Sequence, residues 1–391
     1  MNTRTCEYLE GRFGDHYRRV SVTPPPAANE REWGYIPWAT EGTTMIRHNS
    51  FLDLTGGGTF DEFLATIRPR HMYYSAGYYQ HPGAGSMGQK DWRGSDLIFD
   101  LDADHLPGVD PESDSFSEML ATCKQALTQL LDFLETDFGF EQISIVFSGN
   151  RGYHVHVRDP GIQELGRHAR RHIVEYILGE DLEFSDIITT ETVAGTAGRS
   201  SPAQKRSLPD GGWGRRTRQA VLSVLAEIRS MDNTAAVDYL CEFDGIGEGK
   251  AKAIQAAAAD NATEIQQGNI DVHPAVISLA QQIFSEVRET QRAPIDEPVT
   301  TDINRLIRLP GSLHGGSGLA VFPIGRDELA GFDPLSDPIP DTFMRHEISI
   351  DVTAPLTVEL NGQRFDLGEG KTTVPEYVGI FAMARDCAEL A

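Results

Sequence analysis

The chain has 391 residues, 40% of them hydrophobic, and its 34 Lys and Arg stand against 58 Asp and Glu for a formal net charge of −24. That length allows two or three domains with a substantial core; no apolar run approaches the roughly 20 residues of a bilayer crossing, and the polar start Met1-Asn2-Thr3-Arg4-Thr5 lacks the apolar segment of a secretory leader, so a cytoplasmic, membrane-free protein is expected. The negative field repels nucleic acid from most of the surface, and with Lys confined to positions 90, 124, 205, 250, 252 and 371 it suits a salt-rich cell, where screening to about 3 Å at 1 M tolerates crowded carboxylates.

Residues 31–38 (REWGYIPW) and 45–51 (MIRHNSF) read as short strands, with turns at Pro24-Pro25-Pro26 and Gly56-Gly57-Gly58. Arg47 is placed to touch a phosphate or to sit as an exposed strand residue. A helical turn at 61–67 stops before Pro69, residues 72–79 alternate as a strand, and a Gly-rich loop at 83–94 leads into the run 96–104, DLIFDLDAD. Leu97, Ile98, Phe99 and Leu101 make that run a buried strand, which ordinarily suppresses carboxylates. Asp100 and Asp102 sit on it and project from one face roughly 7 Å apart. Two such charges repel unless a cation neutralises both, so the pair reads as a magnesium or manganese site; an acidic turn at a sheet edge is the plainer alternative.

Beyond it, Ser115-Phe116-Ser117-Glu118 has capping-box form and opens a helix at 116–134 with an apolar stripe. Strands are expected at 142–147 and, in alternating form, at 153–158. The connection Ser148-Gly149-Asn150-Arg151-Gly152 lets backbone N–H groups approach a ligand, and Ser148, Arg151 and His154 would supply a hydroxyl, a forked cation and an imidazole to a triphosphate. A plain hairpin with a solvated Arg is the competing reading.

A helix at 162–178 carries Arg-His-Ala-Arg-Arg-His at 167–172, either the footprint of a phosphate backbone or a solvated face. The Gly-, Pro- and Arg-rich loop at 194–218 is the expected boundary of an insertion, and 217–290 is nearly all helical. Within it, residues 240–254 (LCEFDGIGEGKAKAI) resemble a helix-hairpin-helix whose turn, flanked by Lys250 and Lys252, aims N–H groups at a DNA phosphate; an ordinary αα corner is equally compatible. Arg305, Arg308 and His314 then lie among apolar residues ahead of a Gly-rich turn, again an anion site in appearance. A strand follows at 319–324, a hairpin at 347–367 turning at Asn361-Gly362, and a last helix opened by Thr373 and Pro375. Cys6, Cys123, Cys241 and Cys387 are far apart, without a C-x-x-C pair, and read as reduced, partly buried fillers.

In this order, DLIFDLD, SGNRGYHVHV and RLIRLPGSLHG resemble the small, catalytic subunit of archaeal and eukaryotic DNA primase, over roughly residues 31–322. The resemblance implies an α+β (mixed α/β) fold, a catalytic core of mixed sheets flanked by helices at 1–205 and 291–391 with a small helical insertion at 206–290. It implies metal-binding, catalytic aspartates at Asp100, Asp102 and Asp296, with Asp302 a competitor too close to the RLIR strand. Ser148, Arg151, His154, Arg308 and His314 become the nucleotide-binding residues. The reaction implied is two-metal synthesis, with Mg²⁺ or Mn²⁺, of short RNA primers on single-stranded DNA from nucleoside triphosphates, deoxynucleotide extension being open, in partnership with a large primase subunit. Family members often carry a zinc cluster after the D-x-D strand; only His105 and Cys123 stand in that interval, so no zinc is expected. Gly315-Gly316 replace a basic residue common after the motif histidine. Two rivals are a haloacid-dehalogenase-like phosphohydrolase, which usually has Thr or Val where Asp104 stands, and a non-catalytic DNA-binding module built on 240–254.

Overall fold

The computed structural model describes every residue except 41, 43, 111–112 and 194–202, and leaves out the side chains of 192, 193, 203 and 204. The chain forms two compact units, one of Met1–Leu127, Phe140–Val174 and Pro294–Ala391, the other of Thr128–Gly139 and Glu175–Ala293. Elements are numbered along the whole chain. They begin with α1 (Thr3–Tyr17), β1 (Trp33–Ile36), β2 (Ile46–Asn49), α2 (Phe51–Thr55), α3 (Phe60–Ile67), β3 (His71–Ser75), β4 (Gly77–Tyr79), β5 (Trp92–Ser95), β6 (Leu97–Asp102), α4 (Phe116–Asp132), β7 (Ile143–Phe147), β8 (Gly152–Val157) and α5 (Arg167–Leu178). Then come β9 (Thr189–Val193), β10 (Ala203–Ser207), α6 (Gly212–Ser230), α7 (Asn233–Cys241), α8 (Glu248–Asp260), α9 (Ala262–Gln266) and α10 (Pro274–Gln291). The chain ends with α11 (Glu297–Thr301), β11 (Leu306–Arg308), β12 (Phe322–Ile324), β13 (Glu347–Val352), β14 (Leu356–Leu360), β15 (Gln363–Leu367), β16 (Gly370–Pro375), α12 (Glu376–Ala384) and β17 (Ala388–Leu390).

The first unit is an α+β core on two antiparallel sheets of strand order β11-β3-β1-β2 and β12-β7-β8-β6. On the second sheet Leu97, Phe99 and Leu101 share a face with Tyr153 and Val155, all buried. That face is covered by α4, whose Cys123 Sγ lies 3.5 Å from the Leu101 carbonyl. The α4 N-terminus is capped as its sequence requires: Glu118 N–H donates to Ser115 Oγ (3.3 Å) and Ser115 N–H to Glu118 Oε2 (2.9 Å). The opposite face carries Ile98, Asp100 and Asp102 with His156, His154 and Gly152 across from them. Here the first sheet closes down, the Tyr74 ring lying parallel to His156 with centroids 6.4 Å apart. Because both faces are covered, every residue of β8 is buried, and the alternation expected at 153–158 gives way to continuous burial.

Other differences have identifiable causes. The run 72–79 is two strands in two sheets: Ala76 N–H donates to the Arg305 carbonyl (2.8 Å) instead of continuing the ladder, so β3 pairs with β1 and β11 while β4 pairs with β5. The loop at 83–94 runs into β5. Phe51 opens α2 instead of ending β2, Ser50 and Asp53 forming its capping box. Asn361 and Gly362 both take positive φ (52° and 66°), the left-handed pair a two-residue hairpin needs, but they join β14 to β15; β13 pairs with β16 and β17.

Much of the basic residue content is structural. Arg170, in the 167–172 run, is buried and donates to the carbonyls of Leu165, Ser95 and Asp96, and Arg171 pairs with Glu297 at 3.1 Å. Arg47 pairs with the buried Glu32 (3.0 Å), which Lys90 also reaches at 2.9 Å. Of the loop at 194–218, residues 194–202 lie outside the described residues; the rest is β10, a short connection at 208–211 and the start of α6. The arginines of its described part are engaged, Arg206 with Asp271 (2.8 Å), Arg215 and Arg216 with Asp132 (2.7 and 2.5 Å) and Arg218 with Asp210.

The second unit packs α6, α8 and α10 together and buries Val221, Leu225, Ile254 and Leu279 among others. α7 and α8 form a helical hairpin through Gly245 (φ 72°); Lys250 Nζ turns back onto the Gly245 carbonyl (2.9 Å) and Lys252 pairs with Glu248 at 2.5 Å. Cys241 is exposed, unlike the buried Cys6 and Cys123. Among the described residues no helix is long and apolar enough to cross a membrane.

Candidate active site

The site grows from the end of β6. Asp100 stands opposite His154, and Asp102 opposite Gly152. A side chain at Gly152 would run into the Leu101 carbonyl oxygen, so glycine is what allows β8 to lie this close to the acidic strand. The third carboxylate arrives from far along the chain: Asp296 precedes the short α11, and its N–H donates to the Asp100 carbonyl at 3.0 Å. Asp302, at the other end of α11, instead accepts from Asn304 N–H (3.0 Å).

Burial first, and then the Asp296 charge, push Asp100 up to about 6, against the opposing pull of Arg305 and Arg308. Burial likewise raises Asp102, partly offset by a hydrogen bond from Asp104 N–H (3.3 Å). Hard oxygen donors that repel one another in a half-buried place fit a divalent cation, whose charge would reverse that penalty. The described side chains do not form a ready-made group of three or more His, Cys, Asp or Glu ligands. Magnesium is ordinarily held by one or two carboxylates, water and substrate phosphate, a demand this layout can meet.

Around the carboxylates stand imidazoles and guanidiniums. His154 Nε2 lies 3.5 Å from Asp100 Oδ1; burial and Arg308 hold its pKa near 3, so the ring is neutral. Arg308, on β11, packs over the Tyr73 ring at 5.4 Å and donates to its hydroxyl (3.2 Å). His314 is buried, neutral for the same reason, and accepts from Gly316 N–H at Nδ1 (3.1 Å). That bond leaves its proton on Nε2, a fixed donor. Ser148 accepts from Gly152 N–H (3.2 Å) and so braces the hairpin loop from within.

The loop bearing Ser148 and Arg151 and the turn bearing His314 are one assembly. Ser317 Oγ donates to the Gly149 carbonyl (2.5 Å), and a Cβ on Gly149, already at φ 80°, would come within 2.8 Å of His314 Cβ. His71 backs the turn, its ring 4.9 Å edge-on from His314 and its Nδ1 accepting from Gly315 N–H (3.3 Å). Arg70, stacked 5.4 Å from Trp38, reaches the Gly315 carbonyl (3.3 Å).

Arg151 itself pairs with Asp104. Beside it is Arg385, a group that sequence reasoning passes over, which donates to Asn150 Oδ1 at 2.9 Å. Its sequence signal is faint, an arginine just past an apolar helix.

Carboxylates at a strand end, faced by guanidinium and imidazole groups on an α+β core, define an enzyme that works on phosphate esters. Residues 99–326 match the family model described as DNA primase small subunit. The chain is 63% identical over 391 residues to the DNA primase small subunit PriS of Natronomonas pharaonis, covering all of both chains. It is 58% identical to that of Haloarcula marismortui, over 100% of this chain and 99% of the relative, and 40% identical over 403 residues to that of Methanothrix thermoacetophila, over all of both chains. The chain belongs to the DNA primase small subunit family, the catalytic, primer-synthesising nucleotidyltransferase subunit. Its haloarchaeal relatives agree with the acidic, lysine-poor composition of a salt-adapted archaeal protein.

Proposed function

We propose that this chain joins nucleotides on a single-stranded DNA template with Asp100, Asp102 and Asp296 as the metal-holding carboxylates, in company with a large primase subunit. The observation that supports this most is the hydrogen bond from Asp296 N–H to the Asp100 carbonyl (3.0 Å), which brings a third acidic residue from far along the chain to the Asp100 and Asp102 strand, where burial and the Asp296 charge raise Asp100. Mg²⁺ or Mn²⁺ bound there would activate the attacking 3′-hydroxyl and stabilise charge on the reacting phosphate. Arg151 and Arg308 bind and orient the nucleoside triphosphate through forked donors. His314 offers a fixed Nε2–H to a phosphate oxygen, and neutral His154 supports Asp100. Ser148 shapes the loop that presents Arg151.

The test is template-directed nucleotide incorporation in high KCl with Mg²⁺ or Mn²⁺, for the wild type and Asp102→Ala, with and without the copurified partner. Incorporation by the wild type that is lost in Asp102→Ala supports the reading; equal incorporation by both overturns it.

A further inference from the structure

We propose that Asp104 is an internal occupant of the polyphosphate site: its carboxylate holds Arg151 until the terminal phosphates of an incoming nucleotide take its place, with Arg385 positioning the loop for the exchange. This rests on the reading of the Ser148 to Gly152 loop as the triphosphate cradle.

Four observations lead to it. Arg151, the one guanidinium carried by that loop, is committed to the carboxylate of Asp104. Asp104 Oδ1, Arg151 Nε and Arg385 Nε are all buried without a hydrogen-bond partner among the described residues, a concentration of unmet polar atoms that an extra ligand would relieve. Arg385 lies over the rings of Phe116 and Phe381, 4.5 and 4.3 Å from their centroids, and donates to Asn150 Oδ1, next in sequence to Arg151. Finally, burial and the charge of Arg151 push Arg385 down to about 10, so two guanidiniums share a neighbourhood in which Asp104 is the counterion.

Arg151 and Arg385 thus share Asp104 as counterion. A tripolyphosphate carries more charge and more acceptor oxygens than a carboxylate, and it can engage the Arg151 fork in the same bidentate way. Asp104 therefore keeps the fork folded onto the site while empty, and its displacement is a cost that a weakly charged ligand cannot meet. The Asp104 N–H separately donates to Asp102 Oδ1 (3.3 Å), so the side chain can leave without releasing the acidic strand. Arg385 touches no reacting group in this scheme; it is a positioning residue acting through Asn150.

The test is calorimetric titration of inorganic tripolyphosphate into the full chain in molar KCl with EDTA, alongside nucleotide incorporation with metal. Asp104→Asn should bind tripolyphosphate about fivefold more tightly than wild type, and Arg151→Gln about tenfold more weakly. Adding Asp104→Asn to Arg151→Gln should restore nothing, because the carboxylate acts through that arginine. Arg385→Gln should raise KM for the nucleotide several-fold while kcat changes little, and Arg385→Lys should recover part of the loss. Asp104→Ser provides the same reading if the amide variant does not fold. Unchanged or weaker binding by the Asp104 variants, in a protein whose wild type incorporates nucleotides, overturns the displacement while leaving the proposed function standing. A wild type that neither binds tripolyphosphate nor incorporates nucleotides overturns both.

Discussion

Asp96, just before β6, and Asp100, within it, lie four positions apart, and their surroundings are opposite. Asp96 is fully buried and saturated: Arg31 reaches it at 2.9 Å, Arg158 at 3.0 Å and the Tyr78 hydroxyl at 2.5 Å. Asp100, though buried enough to be lifted to about 6, has as its direct partner only a neutral imidazole among the described residues. The same residue type, four positions apart, is in one place a fastening and in the other a vacancy for charge. What separates the two is how completely the protein itself satisfies them.

The largest effect that would break this comparison is catalytic. Asp100→Asn and Asp102→Asn should each lower nucleotide incorporation at least about a thousandfold, through loss of charge stabilisation worth several kcal/mol, with unfolding midpoints at or above the wild-type value. A fall in stability matching the fall in activity would make Asp100 another fastening. Asp96→Ala is expected to do the reverse, destabilising by about 3 kcal/mol because it leaves buried guanidiniums unpaired, as read by denaturant unfolding in high KCl. Next, Mg²⁺ or Mn²⁺ should stabilise the wild type by about 2.7 kcal/mol at a hundred times its Kd and do nothing for Asp100→Asn combined with Asp102→Asn, a difference visible by calorimetric melting.

The smallest effect concerns pH in metal-free protein. A carboxyl whose folded pKa is raised stabilises the fold while protonated, below its ordinary value near 4, and that contribution is lost as pH rises through about 6. Between those limits Asp100→Asn should gain on the wild type by about 1–2 kcal/mol once salt screening is allowed for. Parallel stability curves for the two proteins would remove the electrostatic distinction between Asp96 and Asp100.

The site was more legible in the sequence than its setting. Asp100 and Asp102 announce themselves because a carboxylate on an apolar strand is costly, and Gly149 and Gly152 because a tight loop between strands needs them; these are local facts. Asp296 could be placed only through the family pattern, since its approach to Asp100 is a single long-range hydrogen bond. Arg170 read as surface charge because nothing in RHARRH foretells three backbone carbonyls waiting for it. The split between β3 and β4 depends on a bond from Ala76 to Arg305, and Arg385 on stacking with Phe116 and Phe381, both invisible to local pattern. α1 is hard to read from sequence although Leu9, Phe13 and Tyr17 recur at helical spacing: Gly11 and Gly14 depress its intrinsic propensity by roughly 1 kcal/mol each, and tertiary contact supplies what the segment lacks.

The hydroxyl of Ser317, bonded to the Gly149 carbonyl, has an implication for how this enzyme can be changed. It links two stretches 168 residues apart into one mechanical part, so a loop taken from a relative seats against the other only where that hydroxyl is kept. Anyone shuffling segments between such enzymes would have to move both as a matched set, or accept that the transplanted half arrives without its mate.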